Sequence, residues 1–265
     1  MARQVYLTID DSPSPVSDDL INYLAARNIP ALIFCRGDYL EANPAPMRRA
    51  IEHGFIIGNH LYSHQRASRL EYEQICTEIQ RTERLIEQLY KDVNTAQPMK
   101  TIRFPYLDRG MGAWFVEPDN IKDGDVKAIY TDLIQNGLGN DHKSTPSIAQ
   151  IETKNRIQEN LRHEGYAPPA FAACTAPWYR DNIDIKSAHD TLITCSSSDW
   201  MLTARHKGKW PWDSVPALAD RMLARMDADD GAHIILLHDQ AELMDSFKAF
   251  IDLLINAQTQ FLNIA

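Results

Sequence analysis

Apolar residues along the chain gather into short continuous runs separated by stretches of helical periodicity. The run at 5–9 ends in Asp10 and predicts a short buried strand. Val16, Leu20, Ile21 and Leu24 then recur at helical spacing within 16–27, and a second apolar run occupies 31–35. Pro44 and Pro46 open a helix that runs through Ile51 and closes at His53-Gly54. A third strand is predicted at 55–59, and a long amphipathic helix at 70–89 with Ile75, Ile79, Ile86 and Leu89 on one side. A fourth strand is predicted at 100–104.

From 108 to about 165 the pattern changes. A flexible turn at Gly110-Met111-Gly112 and the pair Trp114-Phe115 precede two segments of helical period, 126–138 and 147–161. Strand signals return at 170–174 and 191–196. A helix over 215–226, an apolar strand over 232–237 ending at His238, and a helix over 241–261 complete the chain. Alternation of this kind predicts an α/β fold with a mainly parallel sheet, open or closed into a barrel. No repeat or low-complexity linker interrupts it, so a single domain over 1–265 is expected, with an insertion at about 107–165.

Asp10-Asp11, His60, Arg103 and His238 each end or follow an apolar strand run. In parallel β/α architectures the carboxyl ends of the strands gather on one face, so these distant residues are expected to converge there. Adjacent carboxylates repel, and on a regular strand Asp10 and Asp11 point to opposite sides. A bound cation is the natural compensation, and two acids permit one to serve as ligand and the other as general base. Alone, Asp-Asp before Ser-Pro is more often a turn.

His60 and His64 supply the partners. At i and i+4 they share a face if the segment is helical, and two imidazoles with one carboxylate leave open positions on a metal, as catalytic sites require. Arg103, beside the acids, can hold the base ionised and oriented. Pro105 fixes the turn that offers the Tyr106 N–H as an oxyanion donor. Asp199-Trp200 adds a further acid and an indole that could equally be core. His238 before Asp239 becomes a general acid only if a carboxylate and a metal lie near it.

Composition narrows the alternatives. The chain has 265 residues, is 44% hydrophobic and 24% charged, and carries a formal net charge of -9, which argues against a dedicated nucleic-acid binder. No stretch reaches the length of a membrane-spanning helix. The N-terminus lacks the basic and apolar regions of a signal peptide, so the expected location is cytoplasmic. Cys35, Cys174 and Cys195 read as buried thiols, whereas Cys76 could be buried or exposed.

Taken in order, these segments resemble the five motifs of the polysaccharide deacetylase family, the NodB-homology domain of carbohydrate esterase family four. The correspondences are TFDDGP at 8–13, H-x3-H at 60–64, R-x-P-Y at 103–106, Asp199-Trp200, and I/V-L-x-H-D at 235–239. The resemblance implies a distorted (β/α) barrel. It implies one divalent ion held by Asp11, His60 and His64, zinc first, with cobalt, nickel or manganese also compatible. It also implies Asp10 as base, Arg103 orienting Asp10, Asp199 pairing with Arg103 or tuning the acid, His238 as acid, and Leu236 lining an acetyl-methyl pocket.

The implied substrate is an acetylated carbohydrate, with N-acetyl hydrolysis leading. An O-acetyl esterase, a metal-independent cyclic-amide hydrolase and a sugar-binding pseudoenzyme are the alternatives. Trp178, as a groove wall with Trp200, and Trp210 and Trp212 are candidates for stacking on sugar rings, with packing beneath their loops the bland alternative. His53, His142, His163, His189, His206 and His233 read as surface or capping residues. Ser12 stands where the family usually has glycine, and a positive φ there would be costly for serine. The insertion matches no motif and is the candidate for a substrate-specific lid or an oligomer contact.

Overall fold

The N-terminal apolar runs pair side by side as parallel strands. In the computed structural model, which describes residues 3–264, β1 (Gln4–Ser12) is central. β2 (Leu32–Cys35) and β3 (Ile56–Asn59) follow on one side, and β5 (Ala232–His238) and β4 (Cys195–Ser196) on the other. The register sets Asp10 opposite His238 and Thr8 opposite Leu236, so the two motifs richest in polar groups lie abreast. β6 (Gln260–Phe261) pairs with the start of β1. Residues 1, 2 and 265 of the expected domain lie outside the described residues.

Beyond β3 the sheet closes through isolated links. Asn59 bridges Ile102, the Ile102 carbonyl accepts from Thr191 N–H at 2.7 Å, and Thr194 N–H donates to the Ile234 carbonyl of β5 at 3.1 Å. The result is the expected α/β distorted barrel. The strands predicted at 100–104 and 191–196 survive only as these links and the two-residue β4.

Alternation along the strands separates two apolar layers. Val5, Leu7, Ile9, Ile33, Cys35, Ile235 and Leu237 face outward. They pack under α1 (Ser17–Ala25), α3 (Ala45–Glu52), α4 (Tyr72–Asp92), α9 (Val215–Asp227) and α10 (Met244–Asn256). Each large apolar side chain removed from water in this layer stabilises the fold by about 1.5–3 kcal/mol. Tyr6, Leu32, Phe34, Ile234 and Leu236 face inward. They share a cluster with Leu107, Met111, Trp114, Phe115, Tyr130, Leu133 and Ile134. Part of the segment read as an insertion therefore fills the barrel. Its helices are α5 (Gly124–Asp132), which continues into a wider turn at Leu133–Gly137, and α6 (Ile148–His163), opened by a Ser147/Gln150 capping box.

Other sequence expectations need correction. No strand forms at 170–174, where Pro168 and Pro169 lack donors and Phe171 turns to φ 41. The closing helix stops at Asn256, and Gln258 at φ 58 redirects the chain into β6. Short helices α2 (Gly37–Ala42), α7 (Pro177–Arg180) and α8 (Ile183–Lys186) were not foreseen. Cys35, Cys174 and Cys195 are buried as expected, and Cys76 is half-buried. His233 is buried against Thr194 rather than at the surface. Among the described residues no helix is long and apolar enough to cross a membrane.

Candidate active site

The carboxyl ends of the strands open into a cleft of about 540 Å³ lined by Asp10, Asp11, His60, His64, Tyr106, Trp200, Leu236 and His238 among others. On a regular strand the two aspartates would diverge. Asp11 instead adopts φ 70, and the pairing of β1 with β2 is irregular between Ile9 and Ser12. These two features cancel the alternation and bring both carboxylates to the cleft. The positive φ thus falls on Asp11, and Ser12 is spared the left-handed conformation that would be costly for it. The Ser12 hydroxyl donates to Asp239 at 2.8 Å, and Ser14 and Ser17 hydroxyls donate to the same carboxylate.

The segment 60–64 is not helical. Leu61 and His64 take φ 58 and 57, and this looped path brings the two imidazoles to 5.2 Å between ring centres. Glu78 of α4 holds the loop by accepting from Tyr62 N–H at 2.9 Å and Ser63 N–H at 2.7 Å. Gly37 lets α2 approach it, because a Cβ there would lie 2.5 Å from the Tyr62 ring.

His60 Nδ1 sits 2.8 Å from the Arg103 carbonyl. Donation to that oxygen fixes the tautomer and leaves Nε2 with a lone pair facing the acids. Burial pushes the His60 imidazole down to about 4 despite the pull of Asp10, so it is neutral near pH 7. Burial alone would raise Asp11. The approach and charge of His64, with His238 and His60 behind it, instead hold its carboxyl well below the usual carboxylate range. Among the described residues Asp11 Oδ1 has no aligned hydrogen-bond donor, although His64 Nε2 comes to 2.9 Å and His60 Nε2 to 3.6 Å. One ligand atom from each residue lies within 4.8 Å of the others. A buried carboxylate oxygen without a donor, facing two imidazole nitrogens, fits a divalent cation.

Arg103 is fully buried. Its Nη1 donates to Asp10 Oδ1 at 2.9 Å and to Thr8 Oγ1 at 2.8 Å, and its guanidinium lies 4.4 Å over the Phe34 ring. Asp199 pairs with His238 and not with Arg103. Its Oδ1 is 2.7 Å from His238 Nδ1, and its Oδ2 accepts the His238 backbone N–H at 2.8 Å. Burial alone would lower His238, but the Asp199 carboxylate, with Asp11 and Asp10 beyond, overrides it and pushes the imidazole up to about 9. Tyr106 takes φ 60 and stands beside His64 with ring centres 5.0 Å apart.

The tryptophans divide. Trp200 lines the cleft, donates to the Gly137 carbonyl at 2.7 Å and packs edge-on against Trp210 at 4.9 Å. A Cβ at Gly139, which has φ +63, would meet this indole at 2.8 Å. Trp178 is no groove wall. It is buried in the barrel-interior cluster, and its Nε1 donates to Asp229, just before the amino end of β5. Trp212 also lies outside the cleft lining, packed against the outer core beneath Arg221. The sequence reading missed Arg66, Arg69, Arg205 and Gln240, and it set His206 aside; all five line the cleft. Their only signal was nearness in sequence to His64, Trp200 and His238.

The Asp10–Arg103 pair, the His238–Asp199 pair and the metal-type donor set of Asp11, His60 and His64 thus meet at the carboxyl ends of the strands. The comparisons show which proteins the chain is similar to. Residues 1–116 match the family described as "Polysaccharide deacetylase", and the resemblance read from the motifs is borne out. A chitooligosaccharide deacetylase of Bradyrhizobium sp. is 28% identical over 183 residues, covering 68% of this chain and 78% of its own length. A peptidoglycan-N-acetylglucosamine deacetylase of Bacillus cereus is 28% identical over 147 residues, covering 52% of each chain. A family 4 carbohydrate esterase from Streptomyces lividans, solved in complex with acetate, superposes with a TM-score of 0.54 at 18% identity, covering 97% of this chain and 91% of that one. The fold is therefore that of this esterase family, and the relatives in sequence are carbohydrate deacetylases.

Proposed function

We infer that the chain is a single-domain, metal-dependent hydrolase that removes N-acetyl groups from an amino-sugar-containing oligo- or polysaccharide. The observation that carries this reading is the convergence of Asp11, His60 and His64 beside an Asp10–Arg103 pair and a His238–Asp199 pair in one cleft. The two sequence relatives described above are deacetylases of chitooligosaccharide and of peptidoglycan N-acetylglucosamine, and both names support amide rather than ester hydrolysis.

Asp11, His60 and His64 would hold the ion. A divalent cation there supplies a Lewis acid for the acetyl carbonyl and acidifies water. Asp10, oriented by Arg103, takes the proton from the attacking water. The Tyr106 N–H, which has no protein acceptor among the described residues, donates to the developing oxyanion. His238 gives its proton to the leaving amine from Nε2, since Nδ1 is engaged by Asp199. Leu236 lines the cleft for the acetyl methyl group, and Trp200 and Trp210 offer faces for the sugar.

Gln240 Nε2 donates to Asp11 Oδ2 at 2.7 Å, leaving Oδ1 for the ion. Gln240→Ala is expected to weaken divalent-ion affinity by about 10- to 100-fold. Competition with a chromophoric chelator measures this, and an unchanged affinity would show that Gln240 does not position the ligand.

The reading also fixes the pH dependence. His238 acts in its protonated form, so kcat for acetate release from a chitooligosaccharide falls as pH rises through the imidazole pKa. That limb is expected between 6.5 and about 9, because a bound cation opposes the pull of Asp11. Asp199→Asn removes the main charge that raises it and should move the limb toward lower pH. An alkaline limb that stays in place in this variant removes His238 as the acid.

A further inference from the structure

We propose that Arg66, Arg69 and Arg205 form an anion-recognition subsite in the cleft, and that the glycan taken there bears an acidic group, a carboxylate or a phosphate ester, near its acetylated sugar. The word glycan rests on the deacetylase reading above; the anion does not. Among the described residues, every arginine except Arg66, Arg69, Arg84 and Arg205 lies within 4.0 Å of a carboxylate. Arg84 donates instead to a carbonyl of its own helix. The other three all line the one cleft. In a chain with 36 acidic and 27 basic residues, unpaired guanidinium groups are unlike the rest of the surface, and here they share the active-site opening.

Their settings differ in a way that suits recognition. The Arg66 guanidinium lies 4.1 Å over the Tyr106 ring and donates to Asn140 Oδ1, while Asn140 Nδ2 donates to the Tyr106 carbonyl at 2.9 Å. This arrangement holds one guanidinium in place beside the reacting groups. Arg69 and Arg205 are exposed, on the loops that follow β3 and β4.

Asp10, Asp11 and Glu242 also line the cleft, but each is engaged by another partner and none forms an ion pair with the three arginines. Asp10 is tied to Arg103, and Asp108 accepts from Ser68, Gly110 and Gly112. Glu242, at the rim, accepts the Ala204 N–H at 2.7 Å. Guanidinium groups match carboxylate and phosphate oxygens in geometry, and charge complementarity of this kind sets specificity and salt dependence.

The test is calorimetric binding to the purified protein. The probes are an N-acetylglucosamine–glucuronate hexasaccharide, its carboxyl-reduced counterpart, and an N-acetylglucosamine oligomer carrying a phosphate monoester with its dephosphorylated form. At least one acidic probe is expected to bind about tenfold or more tightly than its neutral partner. The preference should shrink as salt rises, and it should collapse in the double variant Arg69→Gln/Arg205→Gln. The probe showing the larger preference identifies the anion.

Equal affinity within both pairs, or a preference that survives the double substitution, overturns the proposal. Acetate release followed in parallel separates the two readings. Preference without acetate from any probe upholds the subsite and sinks the deacetylation. Acetate release without preference does the reverse.

Discussion

His60→Ala is expected to yield a folded protein that no longer retains a divalent ion. His60 contributes a neutral imidazole whose orientation is set by the Arg103 carbonyl. Its removal leaves only His64 and Asp11, short of the three protein ligands usual in catalytic sites. Loss of a ligand should exceed the roughly 10- to 100-fold cost of disturbing an outer partner. Metal analysis after gel filtration reads the effect, with circular dichroism as the folding control. Stoichiometric metal in the folded variant would remove His60 from the ligand set.

Asp10→Asn has the second large effect, and it separates base from ligand. The shape of the side chain is kept, Asp11, His60 and His64 are untouched, and metal content should stay at the wild-type level. Proton abstraction is lost, so turnover should fall by about 10²- to 10⁴-fold. The substitution also leaves the buried Arg103 charge without its carboxylate. Breaking such a pair costs about 3–5 kcal/mol, and thermal unfolding must be followed alongside to keep activity loss distinct from unfolding. Full turnover in a folded, metal-loaded Asp10→Asn protein would rule out Asp10 as base. A chain that served only to bind sugar would keep its glycan affinity in this variant and show no acetate release in either form.

The centre of the site was legible because its residues sit at the ends of apolar runs. Once the runs at 5–9, 55–59 and 232–237 are strands of one parallel sheet, Asp10, His60 and His238 must meet. What pattern could not supply was local backbone conformation. Asp11 joins Asp10 in the cleft only through its φ of 70 and the irregular β1–β2 pairing. His60 and His64 converge through left-handed residues and not on the shared face of a helix.

Trp178 and Trp212 fall outside the cleft for a related reason. A loop indole can face either solvent or core, and the Asp229 carboxylate that receives the Trp178 N–H is distant in sequence. The apolar content at 107–134 could not say whether it covered the barrel or filled it; the structure packs much of it inside. Arginines carry no periodic signal. The meaning of Arg66, Arg69 and Arg205 emerges only when the partners of all the other arginines are known.

The central claim is that the Asp11, His60 and His64 cluster holds a divalent ion on which acetate release depends. Acetate release from an N-acetylated chitooligosaccharide should be measured on chelator-stripped protein before and after adding back one equivalent of zinc. The account predicts loss of turnover on stripping and recovery at about one ion per chain. Undiminished acetate release by verified metal-free protein would contradict it.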